Sequence, residues 1–169
     1  VLDEINRANV SEVFGELIYA VEYRGYPVKL AYSSKELIVP ENVYIIGTAN
    51  NIDRGTFDIG VALRRRFKVY QLEPDEKILQ ELLKNNGVDD NTLSLSIEIF
   101  RGVNNLFERA MGRKGLGQFF FKEVHDKESL KRVWLYSIKH LITTYFSGPI
   151  LIEQANSLIG NIERKLGLR

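Results

Sequence analysis

Hydrophobic periodicity changes character once along this chain, near Pro74, and that change constrains its architecture more than any other feature. Before Pro74, short apolar runs alternate with helical spacing. Val10, Val13, Phe14, Leu17, Ile18 and Val21 recur every three to four residues, which predicts an amphipathic helix over about 9–22. Val28–Ala31 and Glu36–Val39 read as the arms of a small hairpin with Ser33-Ser34 near its tip. Val43–Thr48 is short, β-branched and nearly all apolar, as suits a parallel strand covered on both faces. Phe67–Leu72 alternates and predicts a further strand nearer an edge.

After Pro74 only helical spacing remains. A short helix is expected from about Asp75 to Asn85. Three longer apolar stripes follow, through Ile99–Ala110, Leu130–Tyr145 and Leu151–Leu166. The expected organisation is an α/β part over 1–74 and a helical bundle over 75–169.

Bulk chemistry removes several function classes. Lys and Arg number 23 against 22 Asp and Glu, a net charge of +1, so no overall field draws the chain to nucleic acid or membrane. With no cysteine and only His125 and His140, disulfides and thiolate metal sites are excluded and a zinc site is not expected. No apolar run approaches the roughly 20 residues of a membrane-spanning helix. A cytoplasmic location without membrane contact is therefore expected. Val1-Leu2-Asp3-Glu4 reads as the last residues of a buried strand, so the chain is expected to be a fragment of a longer protein.

Three constellations could carry chemistry. Asp3 and Glu4 stand where an apolar strand ends and a helix is about to begin, the edge at which parallel sheets bind ligands. An Asp there can hold Mg²⁺ and an adjacent Glu can polarise an attacking water. The plainer alternative is a helix start using acids to complement its dipole. Asn50 and Asp53 follow the Val43–Thr48 run, where an Asn can bond a phosphate or water and an Asp can orient either, or where both can simply build a turn. Arg64, Arg65 and Arg66 lie between Val61-Ala62-Leu63 and Phe67. Guanidinium groups match phosphate geometry, although three bare Arg also describe a solvated basic corner.

In order and spacing, these segments resemble the McrB branch of AAA+ proteins. The resemblance is carried by Asp3-Glu4-Ile5-Asn6-Arg7-Ala8-Asn9, Val13-Phe14-Gly15-Glu16-Leu17, Val39–Gly47, Asn50-x-x-Asp53-Arg54 and Ala62-Leu63-Arg64-Arg65-Arg66-Phe67. It is dense over 1–73 and thin beyond. It implies the carboxyl-terminal part of an AAA+ P-loop NTPase core with a parallel sheet, followed by an α-helical lid domain. It also implies roles. Asp3 and Glu4 would be the Walker B pair, for Mg²⁺ and for water. Asn50 and Asp53 would fill the sensor position, and Arg65 or Arg66 would be the finger reaching a neighbouring subunit's γ-phosphate. GTP or ATP would be the substrate. Partners would be further copies in a ring and a McrC-like nuclease subunit, with DNA contacted through other domains or that partner. A remodelling ATPase of the MoxR or dynein-like kind, an inactive assembly module, and a nucleic-acid-binding domain using Arg64–Arg66 are the rival readings.

Departures from the family pattern are Asn51 for Thr, Gly60 for Asp, and Gln118-Phe119 for a His-Ser pair, which weakens a second-sensor role for 116–121. A phosphate-binding loop is not found. Gly112 and Gly117 have its spacing, but Gln118-Phe119 replace the Lys and hydroxyl it needs. Residues 112–117 are expected to form a flexible loop, and the chain alone is expected not to hydrolyse nucleotide.

Overall fold

The structure is a computed structural model and describes residues 1–7, 10–49 and 65–168. The chain divides into two compact units, Val1–Gln71 and Leu72–Arg169.

In the first unit a 3-10 turn, Ile5–Arg7, leads to two short helices, α1 (Val10–Val13) and α2 (Gly15–Glu22). The single helix expected over 9–22 is thus interrupted at Phe14, whose non-helical backbone caps α2 without a side-chain bond. Strands β1 (Val28–Lys29) and β2 (Glu36–Leu37) form the expected antiparallel hairpin, shorter than its apolar arms. Leu30 N–H bonds Lys35 O at 2.8 Å to close it. One contact ties the hairpin to α2, and a second joins the segments that follow each. The Glu16 carboxylate accepts from Ala31 N–H at 2.9 Å, a bond that holds its pKa below the usual carboxylate value. Arg24 donates to Pro40 O at 3.2 Å and Val43 O at 2.6 Å. Gly25 makes the intervening reversal at φ 79°, a left-handed value open to glycine.

The Val43–Thr48 run contributes one parallel bridge, Leu2 to Gly47, rather than a full strand. Leu2 N–H donates to Ile46 O at 2.8 Å and Thr48 N–H to Leu2 O at 2.9 Å. Tyr44 and Ile46 are exposed, so among the described residues this run has no second neighbour to cover it. The strand expected over 67–72 does not form. Its Val69, Tyr70 and Leu72 are solvent-facing and no strand among the described residues lies beside it to pair with. Leu2, Ile5, Phe14, Leu17, Ile18, Val21, Ile45 and Phe67 line a wholly apolar cleft.

The second unit is helical throughout: α3 (Glu76–Asn85), α4 (Asp90–Met111), a 3-10 turn (Gln118–Phe121), α5 (Lys127–Val133), a π-helical turn (Trp134–Ile138), α6 (Lys139–Tyr145) and α7 (Pro149–Leu166). Each long helix begins or ends on a recognisable signal. Asp75 and Asp89 cap α3 and α4 by accepting backbone N–H groups. Asp126 and Ser129 form a reciprocal capping box on α5. Gly167 ends α7 in left-handed backbone, with its own N–H on Arg164 O and Leu168 N–H on Glu163 O.

The apolar faces converge on one continuous core. Leu79 and Leu83 of α3 and Ile99, Val103 and Phe107 of α4 meet Leu130, Trp134, Ile138 and Ile142, with Ile162 and Leu166 of α7. Phe107 stacks edge-on to Phe146 with ring centroids 4.8 Å apart. Buried Glu163 is paired with Lys139 at 2.5 Å, which compensates its burial.

The expected flexible loop at 112–117 is a loop, but a pinned one. Buried Asn104 accepts from Gly115 N–H and Leu116 N–H at 3.0 and 2.9 Å and donates to Leu116 O at 3.0 Å. A Cβ at Gly115 would stand 2.3 Å from the Phe107 ring, so only glycine admits this approach.

Candidate functional site

Backbone pairing between Leu2 and Gly47 brings the end of the first apolar run beside the end of the Val43–Thr48 run. Thr48 uses that proximity. Its hydroxyl donates to Asp3 Oδ1 through a short bond and accepts from Glu4 N–H at 3.0 Å. Ile5 N–H continues the link by donating to Thr48 O at 2.9 Å. One hydroxyl therefore orients the Asp3 carboxylate and fixes the backbone of the next residue. Nothing in the sequence singled out Thr48. The signal that could have found it is its place at the end of an apolar strand-like run, facing an acid across the pairing.

Glu4 turns the chain at φ 50°, a left-handed value uncommon for a residue with a side chain and enriched at functional sites. The turn separates the two adjacent carboxylates, so that Asp3 faces Thr48 while Glu4 pairs with Arg7 at 2.7 Å. Asp3, Glu4 and Thr48 are all exposed, as groups must be that meet a ligand from solvent.

Asn50, Asp53 and Arg64, together with Val61, Ala62 and Leu63, lie outside the described residues. Thr48, two positions before Asn50, stands beside Asp3. Of the arginine run, Arg65 is exposed. Arg66 is partly buried and donates Nε–H to Glu22 Oε2 at 2.9 Å, with its terminal NH₂ on the same oxygen. Phe67 packs with Ile5, Phe14 and Ile18. The run is therefore split, with one guanidinium turned onto α2 and its predecessor turned to solvent. Glu22 is a second residue that sequence reasoning missed. It appears there only as the last acid of an amphipathic helix.

Among the described residues no helix is long and apolar enough to cross a membrane.

Two oxygen-bearing chain ends thus lie side by side, with Asp3 at the first and Thr48 at the second, and Arg66 is held on the last residue of α2. Residues 1–67 match the AAA domain of the dynein-related subfamily, which makes this an AAA+ chain. Within that class it belongs to the McrB type. It is 48% identical over 182 residues to the Type IV methyl-directed restriction enzyme EcoKMcrB subunit of Escherichia coli (strain K12), an alignment covering 95% of this chain and 40% of that protein. It is also similar, at 28% identity over 163 residues, to the Type II restriction enzyme BsuMI component YdiS of Bacillus subtilis (strain 168), covering 82% of this chain and 47% of the relative. The chain thus spans less than half the length of either curated relative.

Proposed function

We propose that this chain is the hydrolytic and lid portion of a nucleoside-triphosphatase that drives a DNA-restriction complex, with GTP or ATP as substrate. The observation that carries the reading is the Asp3–Thr48–Glu4 arrangement, in which one hydroxyl at the end of a parallel pairing orients the Asp3 carboxylate and fixes the Glu4 backbone, whose turn sends the second carboxylate elsewhere.

Its chemistry suits Mg²⁺–nucleotide. Mg²⁺ prefers hard oxygen and is commonly held by one or two carboxylates plus substrate phosphates, keeping several waters. Asp3, oriented by Thr48, offers such a ligand. When bound, the ion supplies charge neutralisation to the β- and γ-phosphate oxygens. Glu4 accepts a proton from the attacking water, and the Arg7 partner must yield for it to do so. Asn50 and Asp53, which follow the Val43–Thr48 run in sequence, would orient that water. Arg65 or Arg66 contributes positive charge to a γ-phosphate held by the next copy, which requires a ring of identical subunits.

A McrC-like nuclease subunit is the expected partner, with DNA contacted through other domains or that partner, all in the cytoplasm. The dynein-related profile would also suit a remodelling ATPase. The 48% identity to a restriction subunit favours the restriction role.

Walker-type P-loop amides and Lys supply most nucleotide affinity in this class, and no such motif is present in the sequence. The chain alone should therefore not turn over nucleotide. In the full-length protein, Glu4→Gln should preserve Mg²⁺–GTP or Mg²⁺–ATP binding while lowering hydrolysis by about 10²–10⁴-fold, the range for a general base. Wild-type turnover in that variant would remove Glu4 from the mechanism.

A further inference from the structure

We infer that Glu22 is the positioning residue of the arginine run: by gripping Arg66 it commits Arg65 as the guanidinium presented to the neighbouring subunit. The inference rests on the reading that this run acts in trans on nucleotide.

Arg65 and Arg66 are adjacent and identical in chemistry, so composition cannot distinguish them. The structure does. Arg66 keeps 22% of its side-chain exposure and directs both Nε and a terminal nitrogen at one Glu22 oxygen. A guanidinium donates through a fixed fork, so a grip through Nε sets the plane of the whole group. Phe67, the next residue, packs with Ile5, Phe14 and Ile18, which anchors the same stretch from its other side. Arg65 precedes these two anchored residues and is exposed. Its backbone is joined directly to the anchored Arg66, and among the described residues no bond of its own competes for its side chain.

Glu22 is also well placed to couple the two halves of the chemistry. It is the last residue of α2, and the chain entering that helix begins with Asp3 and Glu4. One end of this short helical segment follows the carboxylates that serve the subunit's own nucleotide. The other end holds the arginine that serves its neighbour's. Glu22 is 43% exposed, and ion pairs in such settings contribute little to stability. Its substitution should therefore register in geometry, where a misplacement of about 1 Å in a reacting array costs about 10²-fold.

The test uses the full-length protein with Mg²⁺–GTP and Mg²⁺–ATP, alongside Arg65→Ala as reference. Glu22→Ala should lower kcat by about 10–10²-fold, with KM, assembly size and melting temperature unchanged. Glu22→Gln, which keeps one acceptor oxygen, should fall between. The exchanged pair Glu22→Arg with Arg66→Glu should recover most of the rate at an unchanged melting temperature, which separates positioning from a local folding role. Mixed with Glu4→Gln subunits, Glu22→Ala subunits should regain hydrolysis, since their own carboxylates are intact and only what they present to the neighbour is damaged. If Arg65→Ala is inactive while Glu22→Ala runs at the wild-type rate, the positioning role is overturned and the trans arginine stands. If Arg65→Ala is itself at the wild-type rate, both fall together. An exchanged pair that assembles normally yet stays as slow as Glu22→Ala also overturns the positioning role.

Discussion

The two units of this chain use their residues in opposite ways. In the second unit, nineteen apolar side chains are buried in one cluster, and its helices carry caps, a capping box and a glycine stop. In the first, Ala20 and Val39 are the only buried apolar residues among those described, while Tyr19, Tyr23, Tyr26, Tyr32, Tyr44 and Tyr70 face solvent. Yet the described residues with candidate chemistry, Asp3, Glu4, Arg65 and Arg66, all lie in the first. Its order comes from directed polar contacts, such as Thr48 on Asp3, Glu16 on Ala31, Arg24 on two carbonyls and Glu22 on Arg66, more than from packed volume. The contrast teaches that consolidation and chemistry are separable here. One unit holds its shape by burial, and the other spends exposed polar groups on a site.

Substitutions should therefore show opposite signatures in the two units. The largest effect belongs to Arg65. In the full-length protein, Arg65→Ala should reduce hydrolysis by about 10³–10⁵-fold, the range for arginines of this kind, without a change in thermal unfolding. A loss of only a few-fold would move the run to the solvated-corner reading. Phe107 is the converse. Phe107→Ala empties the middle of the helical core and should cost about 3–5 kcal/mol of unfolding free energy in denaturant titration. A cost under about 1 kcal/mol would mean that the core is less consolidated than its burial implies.

A smaller effect is expected at Gly115. Adding a methyl group there drives it into the Phe107 ring, so Gly115→Ala should destabilise by about 1–3 kcal/mol and loosen the loop that Asn104 pins. Hydrogen exchange at the Gly115 and Leu116 amides reports the loosening directly, and unchanged protection would contradict it.

The smallest effect is electrostatic. Hydrogen bonds from the Arg101 side chain, from the Thr92 hydroxyl and amide, and from the Ser129 amide and hydroxyl hold the Glu76, Asp89 and Asp126 carboxyls below their ordinary values. Folding thus lowers these values. The stability they contribute is complete above the unfolded values, about 4 for such groups, and is lost as pH falls through the depressed folded ones. The second unit should show a falling melting temperature below about pH 4, with a shallower acid limb in Asp126→Asn. An identical acid limb in that variant would discount the cap.

Much of this contrast is legible in the sequence, for identifiable reasons. The helices of the second unit announce themselves because 3.6-residue spacing, Asp caps and Pro149 are local signals. The hairpin is likewise local. The Val43–Thr48 run and Phe67–Leu72 were legible only as strand-prone, since whether such a run pairs depends on distant neighbours. The break at Phe14 divides a stripe whose spacing continues unbroken across it, so periodicity could not reveal it. At the candidate site, Asp3, Glu4 and the arginines are visible by type and order. Thr48 and Glu22 are not, because each acts on a residue more than forty positions away. The pinned loop at 112–117 reads as flexible from its glycines, and only the buried Asn104 reverses that.

The measurement that reaches the centre of this account is a mixing experiment in the full-length protein. Glu4→Gln subunits lack a functional base but present intact arginines. Arg65→Ala subunits have the base but present none. Each preparation alone should be inactive with Mg²⁺–GTP and Mg²⁺–ATP. Mixed in equal amounts, they should recover a substantial part of wild-type hydrolysis, because an intact base then faces an intact arginine across a subunit boundary. Mixtures that remain as inactive as their components, in assemblies shown to exchange subunits, would contradict the division of labour between Glu4 and Arg65.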